Sequence, residues 1–329
     1  MTSPADESAL LAGLRSLLDE GRYQQLLARL DDLPRESLLQ RTPFALFAAE
    51  AHGRLGNADE AERWALVALG LARAKGELHA ELRARNVQGA AALMRGDADQ
   101  AEQHFSAALE MTSTAGDHAV EARCLNNLGI IANLRGEAQA ALVWYQRALA
   151  AWRQAGQLRG MAETHHNIEI SRRDLGDLPG ALDATEEAMQ LALELRDDAL
   201  VGRALSGRAD LHLRLGDVTL AGAELERAEA AYERADYPAR LPEVWRLQAG
   251  IAQALGDLPG AVRLLDRARV AGAEHGKADI LAEVERDLGV VLELQGDHAG
   301  ARAARERALA IFRRLGAAKD VQGLVALLG

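Results

Sequence analysis

Cysteine is almost missing from this 329-residue chain: Cys124 stands alone, which excludes a disulfide framework and a thiolate zinc site. Aromatic residues make up only 4%, and β-branched residues are sparse beside Ala, Leu, Arg, Glu and Gln, a composition that points to an all-helical protein. There is no basic excess. The net charge is −11, the opposite of the electrostatic footprint that nucleic acid requires. No run approaches the ~20 apolar residues of a membrane span, and the N-terminus lacks the basic and apolar regions of a signal peptide. A soluble, cytoplasmic protein is expected, with neither nucleic acid nor membrane as partner. Phosphate loops, GxSxG and HExxH are also missing, so the sequence predicts no enzyme and no cofactor.

What is present is a ladder. Gly56, Gly96, Gly136, Gly176, Gly216, Gly256 and Gly296 recur every 40 residues. Five residues after each comes Ala61, Ala101, Ala141, Ala181, Ala221, Ala261 or Ala301, and seven further on Ala68, Ala108, Ala148, Ala188, Ala228, Ala268 or Ala308. A period of this length means one supersecondary unit copied and stacked, each copy burying its apolar face against its neighbours. The anchor glycine predicts the end of a helix A in a left-handed turn. Asn57, Asp97, Glu137, Asp177, Asp217, Asp257 or Asp297 then opens helix B, and all but the glutamate are good N-caps. Helix B closes at Gly76, Gly116, Gly156, Gly276 and Gly316, with Arg196 and Asp236 in the glycine's place in two units.

Three segments follow: a degenerate helical repeat or cap over 1–41, seven 40-residue units over 42–316, and a closing helix over 317–329. In the first, Leu10, Leu11, Leu14, Leu17 and Leu18 form one stripe and Gly21 a turn. With Gly136 as position 15, unit three carries Asn127, Leu128, Gly129, Ala141, Tyr145 and Ala148, and unit two Gly89, Ala101, Phe105 and Ala108. That pattern resembles the tetratricopeptide repeat (TPR), and the resemblance covers about residues 42–316. The period exceeds the usual ~34 residues and is similar to that of Pins-type adaptors, kinesin light chains and bacterial peptide-sensing regulators. The resemblance implies an all-α fold, a right-handed α-solenoid superhelix of stacked antiparallel helix pairs, that binds peptides on its concave face.

In such arrays the face is lined by helix A positions 2, 5, 9, 12 and 13. Position 2 gives Arg83, Arg123, Glu163 and Arg203, and position 5 gives Asn86, Asn126, His166 and Ser206, then Arg246 and Arg286. Ile130 and Asn133 come from positions 9 and 12. Pins-type repeats, with Arg and Asn similarly placed, hold acidic peptides. Arginine forks match carboxylates, and asparagine can satisfy a peptide's N–H and C=O together. The predicted peptide site is therefore Arg83, Asn86, Arg123, Asn126, Ile130, Asn133, His166 and Arg203, holding an acidic or amphipathic segment of a protein partner. Glu243, Glu283 and Glu293 enter the face later, so the ligand is expected across units two to five. The rival reading is a ligand-responsive sensor domain, a fragment of a larger regulator; self-assembly through the terminal units is a third.

Two features stand apart. His165, His166 and Glu169 form HHxxE on one helix, short of the four ligands a metal usually needs, so no metal is expected. Glu169 also breaks a rule, because position 8 is Ala49, Gly89, Gly129, Ala209, Ala249 or Gly289 elsewhere. It is expected to be a tolerated substitution, crowded against Ala181, with its head group escaping to solvent and Arg172, Arg173 or His165 within reach.

Overall fold

A computed structural model describes residues 4–328, so the first three residues of the predicted cap and Gly329 of the predicted closing segment lie outside the described residues. Those described residues that form regular structure are all helical, as eighteen α-helices and one 3-10 turn, and consecutive helices pack as pairs. The chain divides into two compact bodies, one up to Leu128 and one from Gly129. The first holds α1 (Pro4–Asp19), α2 (Tyr23–Asp31), α3 (Arg35–Gln40), α4 (Thr42–Arg54), α5 (Ala58–Lys75), α6 (Leu78–Met94), α7 (Ala98–Ala115) and most of α8 (His118–Leu134). The second holds the end of α8, then α9 (Ala138–Ala155), α10 (Leu158–Asp174), α11 (Leu178–Glu194), α12 (Asp198–Arg214) and α13 (Val218–Arg234). The turn Pro238–Arg240, α14 (Leu241–Ala254), α15 (Leu258–Glu274), α16 (Ala278–Leu294), α17 (His298–Arg314) and α18 (Ala318–Leu328) complete it.

The repeated turns are made as the glycine ladder requires. At Gly176, with φ of 77°, the backbone N–H donates to Arg173 O at 3.0 Å and the next N–H to Arg172 O at 2.9 Å, a Schellman closure of α10. Asp97, Asp177, Asp217, Asp257 and Asp297 then accept the backbone N–H three residues on, each at 2.9–3.0 Å. Asn57 makes no such cap: its amide lies 3.4 Å from His52 Nδ1 instead.

The alanine columns are the seam of each pair. Ala61, Ala101, Ala141, Ala181, Ala221, Ala261 and Ala301 are at most 1% exposed, which lets helix axes approach closely. Position 8, however, packs against position 24 rather than chiefly against the alanine column. A Cβ on Gly89 would lie 2.6 Å from the Phe105 ring, one on Gly129 would strike Tyr145, and one on Gly289 would lie 2.9 Å from Arg305 Cγ. Small residues stand there because their partners are large.

The first body ends in a leucine cluster, where Leu14, Leu17, Leu26, Leu30 and Leu38 cover Phe44 and Phe47 of α4. In the second body α18 covers Leu309 and Phe312, as a closing helix should, but it also reaches Leu134 at the end of α8. Lys319 pairs with Asp174 of α10 at 2.7 Å, and its stem lies over Gly136. Contacts in this body are thus not confined to neighbouring units.

Candidate functional site

In the first body the candidate residues come from α6 and α8. Arg83 is already engaged: its Nε and Nη2 lie 2.9 and 2.7 Å from the two carboxylate oxygens of Glu50 on α4. Burial pushes the Glu50 carboxyl up, but Arg83 outweighs it and holds the group below its ordinary range. Arg123 is part-buried beside that pair. Burial lowers its pKa, and its Nε finds no hydrogen bond. Asn86 Oδ1 accepts from Cys124 Sγ at 3.7 Å, and burial pushes the thiol up to about 12, so Cys124 is packed rather than reactive. Asn126 is part-buried on the same helix.

In the second body Ile130 packs in the cluster around Tyr145 and Ile168. Asn133 is satisfied internally, its amide donating to Tyr145 Oη at 3.2 Å and accepting from Ser171 Oγ at 2.9 Å. Each side of that amide thus already has a partner within the protein. His166 and Arg203 differ. Burial and the nearby guanidiniums of Arg203, Arg240 and Arg173 push the His166 pKa well below its ordinary value, so the ring is neutral. Among the described residues Arg203 makes no ion pair and no side-chain hydrogen bond, while the other arginines that link successive A helices of this body are matched.

Those matches form a ladder. Arg173 on α10 meets Asp210 on α12 at 2.9 Å, Arg246 on α14 meets Glu283 and Asp287 on α16 at 2.9 Å, and Arg286 meets Asp320 on α18 at 3.3 Å. Among the described residues no ion pair joins α12 to α14, where Asp210 and Arg246 act on each other only at longer range and Glu243 turns to Arg240 at 3.2 Å.

Glu169 departs from the sequence expectation. It is fully buried rather than escaping to solvent, and Thr185, small at position 24, leaves it room. Its partners are Arg173 at 3.3 Å and His166 at 3.5 Å, not Arg172 or His165. Burial, with Asp210 and Glu243 nearby, outweighs Arg173 and pushes its carboxyl up to about 7. Among the described residues no group of three or more His, Cys, Asp or Glu side chains could hold a metal.

Sequence reasoning missed Asp210, Tyr232 and Arg240, and it saw Arg173 only as a partner for Glu169, not as a link to α12. Arg173 and Asp210 occupy positions 12 and 9 and were open to the same counting. Tyr232 comes from a B helix, α13, and only Gly202 signals it: a Cβ there would lie 2.7 Å from the ring. Buried polar atoms without hydrogen bonds recur on this face at His166 Nδ1, Ser206 Oγ and Arg246 Nε, all at position 5 of successive A helices.

Comparison with known proteins follows the same lines. The model of the MalT-like TPR region matches residues 87–314, and a single tetratricopeptide repeat model matches 43–66. No curated protein sequence matches. Among solved structures, NprR in complex with its cognate peptide NprX is similar over 100% of this chain and 98% of its own, at 15% identity and TM-score 0.65. A Rap protein complexed with Competence and Sporulation Factor is similar over 98% and 97%, at 16% identity and TM-score 0.64. The APC/C hetero-tetramer Cut9-Hcn1 covers 96% of this chain and 55% of its own, at 14% identity and TM-score 0.64. At these identities the likeness concerns the fold. No described helix is long and apolar enough to cross a membrane.

Proposed function

The chain belongs to the MalT-like TPR family, and from that premise we propose that it is a protein-interaction module whose second body holds an extended peptide segment of a partner along the A helices α10, α12 and α14. One observation carries the reading: His166 Nδ1, Ser206 Oγ and Arg246 Nε, buried atoms that complete no hydrogen bond, lie in the 40-residue register of the repeat. A ligand that meets one rung meets the next. Packed helices lie about 8–10 Å apart, and an extended chain rises ~3.3 Å per residue, so each rung serves about three residues and the segment is roughly six to nine long. Arg203 favours acidic residues in it, because a guanidinium without a partner is best answered by a carboxylate. The neighbouring solved structures named for peptide complexes, NprR with NprX and Rap with its factor, fit a peptide ligand. Binding here needs no catalysis, and Cys124 is too deeply buried and too weakly acidic to serve as a nucleophile.

The test is selection of random nine-residue peptides on the full chain, followed by hydrogen exchange of the complex. Enrichment of Asp and Glu with protection confined to α10, α12 and α14 supports the reading; protection on B helices alone contradicts it. A sensor role finds support in α18, which touches α8 and α10 within the same body. If the module responds to its ligand, peptide binding changes exchange in α18, and unchanged exchange there removes the sensor reading.

A further inference from the structure

At the α12–α14 step the ion-pair ladder lacks its carboxylate, and that gap is lined as a site. Ser206 and Tyr232 are each only 1% exposed, and Ser206 Oγ lies beside Tyr232 Oη without completing a hydrogen bond to it. Neither hydroxyl finds another partner and Arg240 Nε completes no hydrogen bond, while His166 Nδ1 has only the 3.5 Å contact with Glu169. Buried hydroxyls left so are costly unless a ligand or water completes them. Arg203 stands one turn before Ser206 on α12, and both it and His166 are only part-buried, so the cluster reaches the surface through them. Gly202 is what lets the Tyr232 ring lie against α12 and present its hydroxyl there.

We propose that Arg203, His166, Ser206 and Tyr232 form a subsite for one carboxylate, the anchor of the segment bound to this face; the inference rests on the reading of the face as a peptide seat. The donors suit a single carboxylate. An arginine fork supplies two parallel N–H groups, and each hydroxyl supplies one O–H. A dianion such as phosphate is disfavoured, because Glu169 and Glu243 stand close by. The carboxylate is that of a chain terminus or of an Asp or Glu side chain, two sources of the same chemistry.

Three small probes and phosphate separate these possibilities, read by the imidazole resonances of the full chain carrying nitrogen-15 histidine, with His166 assigned by its loss in His166→Gln. N-acetylglycine offers a terminal carboxylate, the α-amide of N-acetylglutamic acid offers a side-chain carboxylate, and N-acetylglycinamide offers none. Saturable movement of the His166 signal by either carboxylate, and not by the amide, is the expected result; which one binds more tightly identifies the source. Arg203→Gln should weaken that binding by ~10-fold or more, the loss of a charge-assisted pair, and Arg203→Lys should restore part of it. Arg208→Gln, whose arginine is held by Glu224, should leave it unchanged. Should Arg203→Gln fail to fold, Tyr232→Phe keeps the ring and removes only the hydroxyl, and it too should weaken binding. Equal shifts with the amide, tighter binding of inorganic phosphate, no shift with any probe, or indifference to both substitutions would overturn the subsite. A selected peptide that protects α10, α12 and α14 yet ignores Arg203→Gln overturns the subsite while the peptide reading stands.

Discussion

At the scale of single residues, Glu169 shows how far a column of aligned positions can mislead. Read down position 8, the glutamate is an intruder among Gly and Ala, and its removal should relieve strain. Read across the pair, it is matched: where position 24 is Phe105, Tyr145 or Arg305, position 8 is glycine, and where position 24 is Thr185, position 8 holds a glutamate. The compensation was in the sequence, but as a pairing between helices rather than a periodicity. Glu169→Gly should therefore destabilise the protein by about 1–3 kcal/mol, through a void, a helical glycine and a lost partner of Arg173. The pH dependence follows from the carboxyl raised to about 7 from an ordinary 4.5. Between those values the folded state holds a proton that the unfolded chain has released, so stability falls as pH rises through the window and the loss is complete above about pH 7. The shift corresponds to roughly 3 kcal/mol. Beside burial, Arg173 on α10, Asp210 and Arg214 on α12 and Glu243 on α14 act on it, and His166 on α10 faces it. Glu169→Gln, neutral at every pH, should gain melting temperature relative to the natural chain between pH 5 and pH 8; parallel curves for the two proteins would contradict this account.

At the scale of elements, most of the fold was legible. The glycine that ends each helix A and the aspartate that opens each helix B are local signals, read from backbone conformation and one hydrogen bond, and the turns form as they dictate. Asn57 makes no cap because its amide is turned toward His52, a contact that depends on the preceding helix and has no signature in the turn itself. The two exceptions to the second glycine series are strained in a measurable way. Arg196 and Asp236 hold φ of 52° and 48°, where a Cβ crowds the following carbonyl. Arg196→Gly should stabilise the protein by about 0.5–1 kcal/mol, the relief of ~1–2 kcal/mol of backbone strain less the entropy of a more flexible unfolded chain. A fall in the denaturation midpoint would show that Arg196 makes a compensating contact. The 3-10 turn Pro238–Arg240 had no signal beyond a proline, yet it is what carries Arg240 toward His166 and Glu243.

At the scale of the whole molecule, a repeat protein is described by nearest-neighbour coupling, and α18 is the departure from it. The ion pair Lys319–Asp174 and the contact with Leu134 are formed between units far apart in sequence, which no periodicity could announce. Removal of residues 318–329 should expose Leu309, Phe312 and Leu134 together and promote self-association, seen as a concentration-dependent sedimentation coefficient; a truncated chain that remains monomeric would argue against α18 as a cover. The proposed binding face was half legible for a related reason. Counting positions put His166 on α10 and Arg203 on α12, but it could not tell that Arg83 pairs with Glu50 and that Asn133 bonds Tyr145 and Ser171. The measurement that tests the account most directly is the affinity of one selected acidic peptide, by titration calorimetry, for the natural chain, Arg203→Gln and Arg83→Gln. Loss of ~10-fold or more for Arg203→Gln, with Arg83→Gln lowering thermal stability and leaving affinity unchanged within error, is the predicted result. Loss of affinity in Arg83→Gln with none in Arg203→Gln would contradict it.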